Sequence, residues 1–273
     1  MTKKIKIISF LLVICLNVFL TFNFTHTTST AEVSAWVNWS TFSITVGGYP
    51  PNYLDQRSSS KANAGYTDSM GVEVDSGYIS GWENPTEAYK SIPNATGDAK
   101  TTANLLQANA TAVADGIINT YARATSWVYR IGYFGVPVST APVLLNASVT
   151  FDVSHFFDYN PSTETVGAYN RFGMTLYQVV GGNSQNILQS AFDFLHYSGS
   201  GLNWNGTWTP AADSLTRTIS YGLQGGYDYG IDVFIVTDAN CGTSAAPVPE
   251  PATMLLIGSG LVGLAGVRKK FKK

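Results

Sequence analysis

Alternating side-chain types dominate the middle of the chain. From Tyr121 to Tyr133, the alternate residues are Tyr, Arg, Thr, Trp, Tyr, Ile and Tyr, and the residues between them are mostly small. Similar alternation runs from Leu145 to Val153 and from Tyr227 to Ile235. A period of two is the signature of a β-strand with one face towards a core. These three segments are therefore predicted to be long strands.

Shorter strand signals fill most of the remaining chain and are separated by Gly, Asn and Pro. Many strands with turns about ten residues apart are typical of a single all-β domain. The prediction is an antiparallel β-sandwich or jelly roll. The further candidate strands are Val37–Val46, Gly71–Trp82, Arg171–Val180, Ile187–Tyr197 and Leu215–Leu223.

Three segments carry weaker signals. Residues 100–115 could form a helix face, but their Thr and Asn content and their place before the strands favour a strand. Residues 52–61 and 83–98 are polar and broken by Gly or Pro, so we expect loops there.

The N-terminus has the composition of a secretory signal peptide. A basic start at Lys3, Lys4 and Lys6 precedes an uncharged apolar stretch that ends near Phe24. Small residues allow cleavage after Ala31 or after Ala35, and we prefer Ala35. The alternative is a retained membrane anchor, since the apolar stretch is just long enough to span a bilayer.

The C-terminus shows a three-part pattern. Val248-Pro249-Glu250-Pro251 is followed by an uncharged run to Val267 and then by a basic end, Arg268 to Lys273. The prolines favour an extended segment, and the apolar run predicts a transmembrane helix. Basic residues after such a helix remain cytoplasmic. The main part of the chain would then lie outside the inner membrane.

This tail resembles the PEP-CTERM sorting domain over about Val248–Lys273. The resemblance implies that an exosortase processes the tail near Pro249-Glu250-Pro251, in a Gram-negative host that makes an exopolysaccharide. An ordinary C-terminal anchor with a coincidental proline pair is the alternative. The predicted organisation is a signal peptide at 1–35, a β-sandwich domain at 36–244 and the sorting and anchor segment at 245–273.

The charge of the domain excludes one class of partner. Residues 36–244 contain 16 acidic and 8 basic residues, a net charge of −8, because eight of the chain's 16 basic residues lie in the two end segments. Nucleic-acid binding depends on clustered Lys and Arg, so no nucleic-acid partner is expected. Cys15 leaves with the signal, and Cys241 remains alone in a segment that we expect to be a flexible tail.

Few residues in the domain suggest catalysis or metal binding. His155 and His196 each stand among aromatic residues and are interpreted as structural, and no zinc, EF-hand, P-loop or nucleophile-elbow motif is present. We expect no cofactor, no metal site and no enzyme activity. Glu73 with Asp75, and Asp152 with His155, are the least ordinary pairs that involve a carboxylate. Glu73 and Asp75 are alternate residues on one strand face, roughly 7 Å apart, near the spacing of inverting glycosidases.

Trp204 and Trp208 form the strongest binding candidate in the sequence. If the segment is extended, both indoles project from one face roughly 13 Å apart. They could stack on the sugar rings of a polysaccharide, although packing in a core would produce the same pattern. The sequence thus predicts an exported cell-surface or extracellular-matrix protein that is structural or binds exopolysaccharide, with a polysaccharide hydrolase or lyase as the alternative.

Overall fold

The computed structural model describes residues 28–66, 73–115, 120–159, 164–180, 184–199 and 213–243. These residues form strands joined by turns, with one short 3-10 turn at Trp39–Thr41. No helix within these ranges has the length and apolarity needed to cross a bilayer. The predicted signal peptide before residue 28 and the predicted sorting helix lie outside the described residues.

The described strands form two seven-stranded antiparallel sheets, which confirms the predicted all-β sandwich. Sheet A contains β1 (Ser29–Asn38), β2 (Ser43–Val46), β6 (Thr86–Ile92), β7 (Ala95–Thr102), β8 (Leu105–Ala114), β10 (Val143–Asp158) and β13 (Asp213–Leu223). Sheet B contains β3 (Tyr53–Tyr66), β4 (Val74–Asp75), β5 (Ile79–Ser80), β9 (Tyr121–Gly135), β11 (Glu164–Val180), β12 (Ser184–Gly199) and β14 (Asp228–Thr243).

Each sheet combines hairpins of consecutive strands with strands from distant parts of the sequence. Sheet A has the order β13-β10-β1-β8-β7-β6. β2 also pairs with β10, on the same side as β1 but nearer the start of β10. Sheet B has the order β12-β11-β14-β9-β3-β4, and β5 also pairs with β3. β1 is paired on both sides, with β8 and with β10, so it is an interior strand of its sheet.

The core has two parts that differ in side-chain size. One part is packed with large residues such as Phe134, Phe151 and Phe172. The other is built mainly from alanine, which requires the two sheets to lie closer together there because the side chains between them are short. The buried alanines of this narrow part are Ala31, Ala64, Ala95, Ala110, Ala112, Ala114, Ala122, Ala124, Ala168 and Ala239.

Gly97 marks a point of close approach between the two sheets. A Cβ atom at this residue of β7 would lie 2.9 Å from the carbonyl oxygens of both Asn63 and Thr125 in sheet B. Nearby, the Ser126 hydroxyl donates a hydrogen bond of 2.6 Å to the carbonyl oxygen of Asn109 across the sandwich. The narrow part of the core is therefore held by polar contacts as well as by alanine packing.

Most of the predicted strands are present, and two predicted loops are wrong. The long alternating runs lie in β9, β10 and β14, and residues 100–115 fall mainly in strands β7 and β8, as favoured. Residues 52–61, however, lie largely in β3, and residues 83–98 include β6 and the start of β7.

Cys241 corrects a further expectation. It lies in β14 rather than in a flexible tail, and its side chain is fully buried in the alanine-rich part of the core. Burial raises the pKa of the Cys241 thiol to about 12. A buried, protonated thiol is unreactive and packs as a small apolar side chain.

Candidate functional site

The outward side of sheet B carries an unusual number of aromatic side chains. Along β9, Ala122, Ala124, Ser126 and Val128 point into the core, so the alternate residues Trp127, Tyr129 and Tyr133 point outward. Neighbouring strands add more rings to this side. We call this surface the aromatic face; its rings are Trp127, Tyr129, Tyr133, Tyr169, Tyr177, Phe192, Phe194 and Phe234.

The strand register aligns these residues in rows across the sheet. One row contains Phe192 of β12, Gly173 of β11, Phe234 of β14 and Tyr129 of β9. Strands lie about 4.8 Å apart, so this row spans roughly 14 Å. Tyr129 and Phe234 stack with ring centroids 6.4 Å apart. The face is therefore a strip of rings running perpendicular to the strands.

A groove of about 450 Å³ lies at the β3 side of the aromatic face. Tyr78, Trp127 and Tyr129 supply aromatic walls, while Lys61 and Ser59 supply hydrogen-bond donors and Glu73 an acceptor. The volume lies in the range of small-ligand sites, and a few polar groups among rings are typical of them. Tyr78 is 61% exposed and is accessible to a ligand.

Lys61 binds both carboxylates of the pair singled out in the sequence. Its Nζ lies 2.8 Å from Asp75 and 3.4 Å from Glu73. The hydrogen bond to Lys61 is the main cause that lowers the pKa of Asp75. A general acid needs the opposite shift, towards neutral pH. The structure therefore brings these two carboxylates together as partners of one lysine.

Arg171 lies between two rings of the aromatic face. Its guanidinium carbon is 5.3 Å from the ring centroid of Phe192 and 5.3 Å from that of Phe234. Gly173 leaves the row without a side chain between these rings, and a Cβ there would come within 2.5 Å of the β12 backbone. The Arg171 side chain remains exposed.

Asp232 lies near the middle of the same face and is partly buried. It pairs in register with Thr175 and Ile131, and its Oδ1 has no hydrogen-bond partner among the described residues. Burial is the main cause that raises the pKa of Asp232 to about 6. The carboxyl group is therefore poised to change charge just below neutral pH.

The other candidates from the sequence are placed as follows. His155 is buried, and its Nε2 lies 3.0 Å from the amide Nδ2 of Asn170, in agreement with a structural role. Asp152 points to the opposite face of β10, so the structure does not bring Asp152 and His155 together.

Trp204, Trp208 and the sorting motif Val248-Pro249-Glu250-Pro251 lie outside the described residues.

The end of the chain matches a known family model. This all-β sandwich protein carries the PEP-CTERM protein-sorting motif at residues 247–270. The motif confirms the resemblance seen in the sequence and indicates an exported surface protein that an exosortase sorts and processes. No curated protein matches the chain in sequence.

Comparison with solved structures gives only distant similarity. The active domain of a tailspike protein from bacteriophage CBA120 is 10% identical over 42% of this chain and 19% of its own, with a TM-score of 0.12. The chain thus spans a small part of that tailspike. The tandem CBM22 domains of Xyn10C from Paenibacillus barcinonensis are 6% identical over 79% of each chain, with a TM-score of 0.12. Scores this low support no conclusion about function.

Proposed function

We propose that the domain is a non-catalytic, exopolysaccharide-binding or structural component of the cell surface or biofilm matrix, and that it binds polysaccharide at the aromatic face. The observation that carries this proposal is the groove formed by Tyr78, Trp127 and Tyr129 with Lys61 and Glu73. Pyranose rings have an apolar C–H side and polar hydroxyls. The groove offers rings for the former and charged hydrogen-bonding groups for the latter.

The salt bridges that Lys61 forms at the groove favour binding over hydrolysis. Glu73 and Asp75 share one lysine partner, and the pKa of Asp75 is lowered. A pair of this kind is suited to hydrogen-bonding sugar hydroxyls as carboxylates, whereas glycosidases need one carboxyl that stays protonated. A hydrolase or lyase remains the second candidate, and release of reducing ends from the polysaccharide would identify it.

The sorting signal supplies the location. An exosortase substrate is exported, and we propose that the apolar tail holds it transiently in the inner membrane before processing. The domain then meets the polysaccharide outside the cell. The net charge of −8 over residues 36–244 favours solubility of such a domain there.

The test is binding of the mature protein to extracellular polysaccharide purified from the producing organism, measured by affinity gel electrophoresis. Tyr78→Ala should weaken binding about tenfold, which corresponds to about 1.4 kcal/mol for one lost stacking contact. Tyr89→Ala is the matched control, because Tyr89 is 55% exposed but lies on the outward side of sheet A. Equal loss in both variants, or no binding by the unmodified protein, would contradict the proposal.

A further inference from the structure

We infer that the aromatic face selects a polysaccharide that carries carboxylate groups, such as one built from uronic acids, and that Arg171 is the residue that binds the carboxylate. This inference rests on the proposed function, since it names the ligand class of the same face. It is carried by the placement and the charge environment of Arg171.

Arg171 differs from the other cations on this face. Arg57, Lys61 and Arg123 each form a salt bridge, with Asp55, with Glu73 and Asp75, and with Asp238 respectively. Arg171 forms no salt bridge with any residue that the structure describes, and its side chain is exposed. It is therefore an exposed cation that an external anion can pair with.

The surrounding rings hold the Arg171 side chain in place for carboxylate binding. Contacts at 5.3 Å with both Phe192 and Phe234 restrict the side chain, so less conformational entropy is lost when a ligand binds. A guanidinium presents paired N–H donors that match the two oxygens of a carboxylate. Asp232 lies on the same face and is the anion that competes with a ligand carboxylate for Arg171. Because the pKa of Asp232 is raised to about 6, this competition weakens below about pH 6, where Asp232 is largely uncharged.

Phe194 provides the adjoining surface for a sugar ring. It lies directly opposite Arg171 in the pairing of β11 with β12 and is 56% exposed. Side chains at such paired positions have Cβ atoms about 5 Å apart. Tyr169 packs against Phe194 at 4.7 Å and fixes its orientation. A pyranose stacked on Phe194 would therefore place a carboxylate on its ring within reach of Arg171.

The negative charge of the domain does not prevent this contact. Its repulsion of an acidic polymer acts over distance and is screened beyond about 8 Å at 0.15 M salt. The pairing of a guanidinium with a carboxylate acts at contact distance. The domain should therefore bind an acidic polysaccharide at physiological salt in spite of its net charge.

The experiment compares two forms of the organism's own extracellular polysaccharide: the native polymer and the same polymer after chemical reduction of its carboxyl groups to alcohols. The mature protein should bind the native form at least tenfold more tightly at 0.15 M salt. Arg171→Gln should lose this preference and bind both forms with similar affinity. Arg57→Gln should keep it, because Arg57 also contacts a ring, that of Tyr133, but is already paired with Asp55.

The outcomes separate the two proposals. If the unmodified protein binds both forms equally, the inference about carboxylates is wrong and the proposed function stands. If Arg171→Gln keeps the preference for the native form, Arg171 is not the selective residue and the inference is also wrong. If the protein binds neither form, the proposed function itself fails. Melting temperatures of both variants should remain close to that of the unmodified protein, since both residues are exposed.

Discussion

The guanidinium of Arg130 lies 4.4 Å from the ring centroid of Trp39, fully buried inside the sandwich. Its nitrogens donate hydrogen bonds to the carbonyl oxygens of Trp82, Thr102 and Ala103. Burial lowers the pKa of Arg130 to about 10, so the group remains charged at neutral pH. Arg130 therefore joins β9 of sheet B to turns at the end of sheet A through a ring and main-chain oxygens.

Replacing Arg130 with methionine should destabilise the domain by at least about 2 kcal/mol. Methionine fills a similar volume but removes the hydrogen bonds from a charged donor to three part-buried carbonyl oxygens, each worth about 1.5–3 kcal/mol, and loses the contact with Trp39. Urea unfolding measures the change. Arg57→Met is the control and should change stability by less than about 0.5 kcal/mol, since that residue is exposed. An Arg130→Met variant as stable as the unmodified protein would show that the buried charge does not stabilise the domain.

Gly97→Ala should destabilise the domain by about 1–3 kcal/mol, although alanine is the smallest possible addition. The new methyl would lie 2.9 Å from two carbonyl oxygens of the opposite sheet, and a backbone cannot give way as a side chain can. Gly222→Ala is the control, because its nearest neighbour is a side-chain atom of Pro142 at 3.4 Å. Thermal unfolding of both variants measures the difference. Equal losses of stability in the two variants would mean that the two sheets can move apart at Gly97 without a cost in free energy.

The size of the inward side chains explains which strands the sequence could predict. β9 and β14 were predicted because large residues alternate along them. β3 was missed because its inward residues include Ser58, Ser60 and Ala62, which carry little hydrophobic signal. The pattern of apolar residues therefore weakens in a strand whose buried side is made of serine and alanine, even though these residues are fully enclosed.

The same reasoning applies to the candidate site. The alternation along β9 was visible, but the sequence alone did not tell which side of the strand faces the core. On β9 the inward side carries Ala122, Ala124, Ser126, Val128, Arg130 and Phe134, so Trp127 and Tyr129 lie outside. The groove also requires Lys61, Glu73 and Tyr78, which come from β3 and the segments around β4 and β5. Only the strand order brings them to β9, and no local signal reveals that order.

Asp232→Asn should stabilise the domain at neutral pH. The pKa of Asp232 is raised from 3.8 to about 6 in the folded protein, so the folded state binds a proton more tightly than the unfolded state does. Ionisation of Asp232 therefore lowers the free energy of unfolding as the pH rises from about 4 through 6, by at most about 3 kcal/mol. Asparagine removes this penalty.

Urea unfolding at pH 7.5 and pH 4.5 tests the effect of Asp232. The gain in stability from Asp232→Asn should be larger at pH 7.5 than at pH 4.5. Asp228→Asn is the control, because Asp228 is an exposed residue at the start of the same strand. An equal gain at both pH values would show that the substitution acts through packing rather than through the charge.

The mature N-terminus is expected at Glu32 rather than Trp36. Both cleavage sites, after Ala31 and after Ala35, satisfy the small-residue pattern of signal peptides. β1 begins at Ser29 and is an interior strand between β8 and β10. Cleavage after Ala35 would leave three of its ten residues, and would remove Val33 and Ala35 from the core. Cleavage after Ala31 leaves seven residues, enough to keep most of the pairing on both sides.

N-terminal sequencing and intact mass of the exported protein identify the cleavage site directly. The mass should also lack Arg268 to Lys273 if the tail is processed. Two purified fragments test the physical reason: one spanning residues 32–244 should unfold cooperatively, and one spanning 36–244 should melt far lower or fail to fold. The second fragment loses the strand pairing of Glu32, Val33, Ser34 and Ala35 with both neighbouring strands. A mature protein that starts at Trp36 and is as stable as the longer fragment would mean that β1 is dispensable and that sheet A closes without it.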